Sequence, residues 1–448
     1  MKNLQKCIEN IPSDRIAFIN ESHQYTYSEL HKLKIQNSHL IEELKGSIIV
    51  INGRARLEFV LLLTILDSYV EKILFLPQDI EKKLHNIYYQ EAHVNYEVYL
   101  EGSILKYNTI NTHENKNNTE QPIYSTEWII PTSGTTSIPK LVSHSFQSLT
   151  KSTKSDIDLG ESFRWGLVFD IYRFSGIQVF LQSIVAGSTL IISNPKESMA
   201  ETIKLLTKKE CNALSATPSF WRKVLMTKES DKLSLKRITL GGEISDNNIL
   251  QALKKKYPHA KISHIYASTE VGVGFSVSDE KEGFPKEYLT GKLKNIKMKI
   301  SSDGLLWISP SDKGQKYLSH DKMYDEDGYI NTGDLVEERD GRVYFLGRDS
   351  GAINVGGNKV QPEEVETKLL STGLLNAAYV YAIKNPMMGS LVCADVVLND
   401  KSMDKKEAKF QILKYCREHM EGFKVPAIIK FVKELQTTQS GKLKRVNK

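Results

Sequence analysis

The chain reads as an α/β protein with a large N-terminal unit and a smaller C-terminal one. Two observations predict this. Short β-rich runs alternate with helical periods, as in Ser47 to Ile51, Leu57 to Tyr69 and Lys72 to Pro77, the rhythm of βαβ units and a mainly parallel sheet flanked by helices. After Gly347 the same alternation restarts on a smaller scale, and 448 residues of ordinary globular composition, 40% hydrophobic and 25% charged, leave room for about two or three domains.

In order along the chain, further strands are expected at Trp128 to Ile130, Ser188 to Ser193, Arg237 to Leu240, Lys261 to Tyr266 and Arg342 to Leu346. Helices are expected at Glu201 to Cys211 and Asp246 to Tyr257. Residues 107 to 122, rich in Asn, Thr and charge and without apolar period, are expected to be an exposed loop. The smaller unit shows a Gly-rich stretch, a helix opening at Pro362, strands near Ala378 to Ile383 and Val392 to Leu398, and a final helix. On that helix Ala408, Ile412, Tyr415, Cys416 and Met420 share one face. No repeat of fixed period is present.

Composition excludes several classes. The longest apolar run, Phe59 to Leu66, is broken by Asp67 and is far shorter than the roughly 20 residues a membrane span needs. Charge scattered through residues 1 to 20 leaves no continuous apolar stretch for a secretory signal, so a cytoplasmic protein is expected. Cys7, Cys211, Cys393 and Cys416 lie far apart without CxxC spacing, against a disulfide framework or a zinc site. A net charge of +6 is too mild to indicate nucleic acid. From Lys401 onward, however, 13 Lys and Arg face 5 Asp and Glu. That end is either a solvated helix surface with a basic tail or a face that meets an anionic partner.

Trp128 to Ile130 runs into Pro131-Thr132-Ser133-Gly134-Thr135-Thr136-Ser137-Ile138-Pro139-Lys140. Such a loop offers amides, hydroxyls and a cation to a polyphosphate. It is no Walker A loop, because Lys140 follows Pro139 and precedes Leu141. The loop resembles the signature of the adenylate-forming superfamily, which includes acyl-CoA synthetases, aryl-acid ligases, peptide-synthetase adenylation domains and luciferases. Four later segments resemble that family in its order: Tyr266-Ala267-Ser268-Thr269-Glu270, Asn331 to Leu335, Gly347-Arg348 through Gly356-Gly357 to Glu366, and Thr438 to Lys442. The resemblance extends from about Tyr25 to the C-terminus, and the stretch before the phosphate loop is shorter than usual.

The resemblance implies an N-terminal adenylation domain over residues 1–347, a hinge at 348–350 centred on Ser350, and a mobile α+β domain over 351–448. It implies attack of a carboxylate on the α-phosphorus of ATP, release of pyrophosphate, and transfer of the acyl group to a thiol. Thr132, Ser133, Gly134, Thr135, Thr136 and Lys140 would hold the phosphates, Thr269 the α-phosphate and Glu270 a Mg²⁺ ion. Gly241, Gly242, Glu243 and Tyr266 would enclose adenine, while Asp334 and Arg348 would hold the ribose. Lys442 would be the catalytic lysine delivered by the small domain. Arg173, Gly176, Ala267 and Gly272 would line the acyl pocket, with Gly356 and Gly357 along a pantetheine tunnel.

The sequence departs from the family where Ser137 and Leu141 replace Gly, Gln436 replaces Pro, Ser350 replaces a charged hinge residue and Arg173 replaces His. Arg173 would either pair with a second polar group on the acid or face solvent. The expected acid is aryl or fatty, with a lean toward a rigid one. The acceptor would be CoA, or alternatively the phosphopantetheine of a carrier protein. A degenerate homologue that only binds nucleotide is the alternative from another class.

Overall fold

The computed structural model describes residues 3–52, 55–111, 125–132, 139–293, 296–310, 314–319, 322–385, 388–437 and 443. Ser133, Gly134, Thr135, Thr136 and Lys442 lie outside the described residues.

Three sheets build the N-terminal domain. In the first, six parallel strands, ordered Lys261–Ser268, Arg237–Gly241, Ala213–Ala216, Arg164–Leu167, Thr189–Ile192 and Ile16–Ile19, are closed by antiparallel edges at Gly272–Val277 and Gln24–Thr26. In the second, Glu127–Pro131, Lys72–Leu76, Ile48–Asn52 and Tyr96–Glu101 run parallel, with antiparallel edges at Leu141–His144 and Ile104–Thr109. Strand Lys316–Tyr317 extends the sheet beyond Leu141–His144. Strands such as Lys72–Leu76 and Thr189–Ile192 are buried on both faces, as expected where helices cover a parallel sheet. Helix Arg56–Leu66 is apolar nearly all round and is buried along its length.

The third sheet departs from the mainly parallel expectation. Its five strands, in the order Phe284–Pro285, Arg342–Arg348, Ile330–Arg339, Leu305–Pro310 and Ile296–Ile300, are all antiparallel. Short connections such as Asp340-Gly341 leave no room for a crossover helix, so successive strands must return alongside one another. Residues 107–109 also differ from the expected loop: they end strand Ile104–Thr109, paired with Tyr96 to Val98. The rest of that stretch beyond Asn111 lies outside the described residues.

One cation ties the first two sheets together. Arg56, at the start of helix Arg56–Leu66, is buried and donates to the carbonyls of Leu167, Val168 and Ser193 and to the Ser193 hydroxyl, at 3.0 to 3.2 Å. Burial lowers its guanidinium to about 10, still cationic at neutral pH. A second buried charge centre lies at the other end of that helix. Asp67 accepts from Trp128 Nε1 at 2.9 Å, Leu4 N at 3.2 Å and Ser68 Oγ at 2.9 Å, and burial raises its carboxyl to about 6.

The C-terminal domain has a core of its own, from Ile353 to Ile429. Strands Asn358–Val360, Ile353–Val355, Gly389–Leu398 and Leu375–Asn385 are antiparallel, and Ile428–Phe431 adds a parallel edge. Helix Lys405–His419 packs Ala408, Ile412 and Cys416 inward, while Tyr415 and Met420 are half-buried. All four cysteines are buried free thiols. Among the described residues no helix is long and apolar enough to cross a membrane.

Candidate active site

The ends of the first and second sheets meet the third sheet around a chain of polar contacts. Strand Glu127–Pro131 hands on to Thr132, and the phosphate-type loop is closed at its base by Thr132 and Lys140. Thr132 N donates to the Lys140 carbonyl at 2.8 Å, and Lys140 N donates to Thr132 Oγ1 at 3.1 Å. The Lys140 ammonium lies 4.8 Å from the centre of the Tyr317 ring, a cation–π contact that holds an exposed lysine over the adjoining strand.

His144, at the end of the strand that leaves this loop, connects it to the Thr269 turn. It is fully buried and hydrogen-bonded to the Thr269 backbone, and burial pushes its imidazole down to about 3, so it is neutral at physiological pH. Its Nε2 has no hydrogen-bond partner among the described residues. Thr269 and Glu270 form the turn between strands Lys261–Ser268 and Gly272–Val277. Among the described residues no group of three His, Cys, Asp or Glu side chains could hold a metal by itself.

Tyr266 lies on the strand next to Gly241, which pairs with Ile265. Its ring runs nearly parallel to Phe345 at 5.2 Å and Phe275 at 5.3 Å, and its hydroxyl donates to Asp334 Oδ2 at 2.6 Å. Burial, with the Asp334 charge beside it, holds the phenol well above its ordinary range, so it remains a donor. Asp334 and Arg348 face each other across antiparallel strands. Arg348 Nε meets Asp334 Oδ1 at 2.8 Å, and an Arg348 terminal nitrogen donates to the Thr332 carbonyl at 2.8 Å. Tyr266, Asp334 and Arg348 are therefore one constellation, with both carboxylate oxygens engaged.

Gly242 and Glu243 follow strand Arg237–Gly241. Glu243 Oε2 accepts from Ser219 N at 2.9 Å, at the start of helix Pro218–Leu225. Glu243 Oε1 accepts from the backbone N–H of Leu443, also at 2.9 Å. The residue after Lys442 is thus bound to the loop that resembles one wall of the nucleotide site. Arg348 ends the last strand of the third sheet, and Ser350 lies exposed in the turn Asp349–Gly351 that leads into the small domain.

The residues expected around the acyl group sort differently. Ala267 pairs with Val273 and packs against the main core, and a side chain added at Gly272 would meet open space. At Gly176 a side chain would run into the Asp170 carbonyl, so this glycine lets helix Phe174–Ile184 pack closely. The Arg173 guanidinium binds both Asp79 oxygens, at 2.7 and 2.9 Å, and lies 3.5 Å from Asp170. It is therefore neutralised within the chain, and neither faces solvent freely nor offers an unpaired charge. Gly356 and Gly357, with φ of 58° and 90°, form the two-residue turn between the paired strands Ile353–Val355 and Asn358–Val360. A two-residue hairpin with both central residues at positive φ favours glycine.

His144, Tyr317, Phe275 and Phe345 escaped the sequence reading. A histidine inside the apolar strand that leaves the phosphate loop was a legible signal for the first. The other three depend on pairing between distant strands, which the local pattern does not carry.

The chain matches the AMP-binding enzyme family over residues 61–319 and the AMP-binding enzyme C-terminal domain over 364–442. The 2-succinylbenzoate--CoA ligase of Bacillus pumilus (strain SAFR-032) is 27% identical over 344 residues, covering 71% of this chain and 68% of that protein. The dimodular nonribosomal peptide synthase of Bacillus subtilis (strain 168) is 25% identical over 71% of this chain but only 14% of that protein. The crystal structure of the anthranilate CoA ligase AuaEII in complex with anthranoyl-AMP superposes with a TM-score of 0.78 at 16% identity, covering 98% of this chain and 95% of that one. The o-succinylbenzoate coenzyme A synthetase of Bacillus subtilis, in complex with ATP and magnesium ion, gives 0.70 at 21%, covering 98% and 97%.

Proposed function

We propose, since the chain belongs to the AMP-binding enzyme family, that it activates a carboxylic acid with ATP and transfers the acyl group to CoA. The observation that carries the reading is the junction itself: Leu443, next to Lys442, is bound to Glu243, which follows the strand beside Tyr266. A lysine presented there meets the reaction where negative charge gathers.

A carboxylate approaching a triphosphate is repelled, so donors and cations must already stand where charge develops. In this reading the loop from Thr132 to Lys140 takes the β- and γ-phosphates. Thr269 meets the α-phosphate, held in place from behind by neutral His144. Tyr266 lies against adenine, and Asp334 with Arg348 receives the ribose hydroxyls. Lys442 bridges the carboxylate and the α-phosphate. The carboxylate oxygen attacks phosphorus and the bond to pyrophosphate breaks. In the second step the thiol sulfur attacks the acyl carbon, AMP departs and the thiol proton is lost.

Glu270 is the carboxylate that fits a Mg²⁺ ion. A turn with one acidic side chain, and no self-sufficient metal cluster around it among the described residues, suits an ion that arrives on the nucleotide and keeps phosphates and water as its other ligands. Such an ion would neutralise phosphate charge.

CoA is favoured over a carrier protein because the aligned CoA ligases match over most of their own length, whereas the peptide synthase matches over one-seventh of its. The acid is aryl or fatty, and 2-succinylbenzoate and anthranilate, named in the relatives, are the first to try. The test is ATP–pyrophosphate exchange against an acid library, then thioester formation with CoA or with a pantetheinylated carrier. Exchange with no acid overturns the enzyme reading in favour of a nucleotide binder. Exchange followed by transfer only to the carrier overturns CoA.

A further inference from the structure

Thr437 and Leu443 form an isolated antiparallel bridge with each other, and only residues 438–442 separate them. Both ends of that span are tied to the N-terminal domain. Lys223 Nζ donates to Thr437 Oγ1 at 3.0 Å, and Leu443 N donates to Glu243 Oε1 at 2.9 Å. The two N-terminal partners share one platform. Lys223 lies in the last turn of helix Pro218–Leu225, and Glu243 holds the first turn of that helix through Ser219 N. The helix is pinned in turn to its sheet by Trp221 Nε1, which donates to the Thr239 carbonyl at 3.1 Å.

We propose that the Lys223–Thr437 and Glu243–Leu443 contacts are a latch that sets the fraction of time the bridged pair Thr437 and Leu443 stays docked on the N-terminal domain, which makes Lys223 a positioning residue for the first half-reaction. This rests on the acid-activation reading above. The chemistry of the contacts suits a latch. One joins an ammonium, which also feels the charges of Glu243 and Glu434, to a neutral hydroxyl, and the other joins an N–H to a carboxylate, so each hydrogen bond can be exchanged for water when the domain leaves. The second half-reaction needs that departure, and a fully buried ion pair would oppose it. In a two-state element of this kind the docked-to-undocked ratio changes exponentially with the free energy of its contacts.

The test uses the full chain with Thr437→Val, which keeps the side-chain shape and removes the acceptor, and Lys223→Met, which keeps the stem and removes the donor. Each should lower pyrophosphate exchange about 3- to 10-fold in kcat with KM for ATP unchanged. Thioester formation from preformed acyl-adenylate should stay equal or become faster. The double variant should lose no more than the worse single one, and Lys223→Arg should restore most of the loss. Equal loss in both half-reactions, multiplicative loss in the double variant, or no loss would overturn the latch.

A second readout does not depend on turnover. The four native cysteines are buried, so spin labels introduced at exposed Met226 and Phe410 would report the distance between the domains. Thr437→Val should broaden that distance distribution toward undocked states. An unchanged distribution overturns the latch whatever the catalysis. A changed distribution in a chain that activates no acid leaves the latch standing and overturns the proposed function.

Discussion

Asp334 and Thr437 flank the same junction, but they are held in opposite ways. Asp334 sits inside a sheet, facing Arg348 across a strand pair, with Tyr266 stacked among Phe275 and Phe345 behind it. Thr437 belongs to a segment tied to the other domain by a lysine and to itself by one bridge. The difference teaches that, on the proposed reading, the nucleotide side is built once, on folding, whereas the cation supplied by the small domain would be brought in afresh for each turnover. Preorganised groups lower a barrier because they need not reorganise as charge develops, and a delivered group can also be withdrawn.

Lys442→Ala should break this comparison most sharply. Acyl-adenylate formation should fall at least ~100-fold, the scale for removing one stabiliser of transition-state charge, while thiolation of supplied acyl-adenylate persists. Equal loss in both would remove the distinction between a fixed and a delivered half. Asp334→Asn probes the fixed half. It should raise KM for ATP roughly 10- to 30-fold and weaken both half-reactions, since both bind the adenosine moiety. A defect confined to one step would mean that Asp334 belongs to the moving part.

Ser350→Pro tests the joint between the halves. Proline disfavours the α region for Asp349, the first residue of the helical turn Asp349–Gly351, so the turn must rearrange. One half-reaction should fall about 10-fold and the other little, read by pyrophosphate exchange beside thioester formation. Loss of neither, or of both equally in a folded protein, places the hinge elsewhere. Glu270→Gln should raise the Mg²⁺ concentration for half-maximal exchange several-fold, about the effect of replacing a charged ligand of a hard cation by an amide. An unmoved titration would take Glu270 out of the metal's reach.

The gentlest test concerns the frame that makes one half rigid. The Asp67 carboxyl stands near 6 in the folded chain against an ordinary 3.8, because burial penalises its charged form. Between those values the folded state binds more proton than the unfolded one, so this stabilising contribution is present below about pH 4 and is lost as pH rises to about 6. Asp67→Asn should remove that component from the pH slope of thermal stability. An identical slope in the two proteins would mean that Asp67 titrates normally.

Much of this was legible in the sequence, for identifiable reasons. Lys72 to Pro77 reads as a strand because a parallel strand buried on both faces is a near-continuous apolar run, and Arg237 to Leu240 because apolar and polar residues alternate; the observed spans are Lys72–Leu76 and Arg237–Gly241. Residues 107 to 109 were misread because an exposed edge strand carries Tyr, Asn and Thr in the composition of a loop. The site motifs stood out since they gather hydroxyls, glycines and single charges at sheet ends. Arg173 could not be judged that way: its partner Asp79 is 94 positions earlier, and only the packed fold brings the two together. The Lys223–Thr437 contact, 214 positions apart, was hidden for the same reason.

Arg56 has a consequence for anyone who would recombine this chain. Its planar fork addresses carbonyls on two strands of the first sheet from a helix belonging to the second, and a lysine, with one compact head, could not reach all of them. A chimera that exchanges the first sheet for a relative's must therefore inherit backbone spaced to receive that fork, or it will leave a buried cation stranded at the seam. Crossover points that keep Arg56 together with residues 167 to 193 should yield folded hybrids, and those that separate them should not.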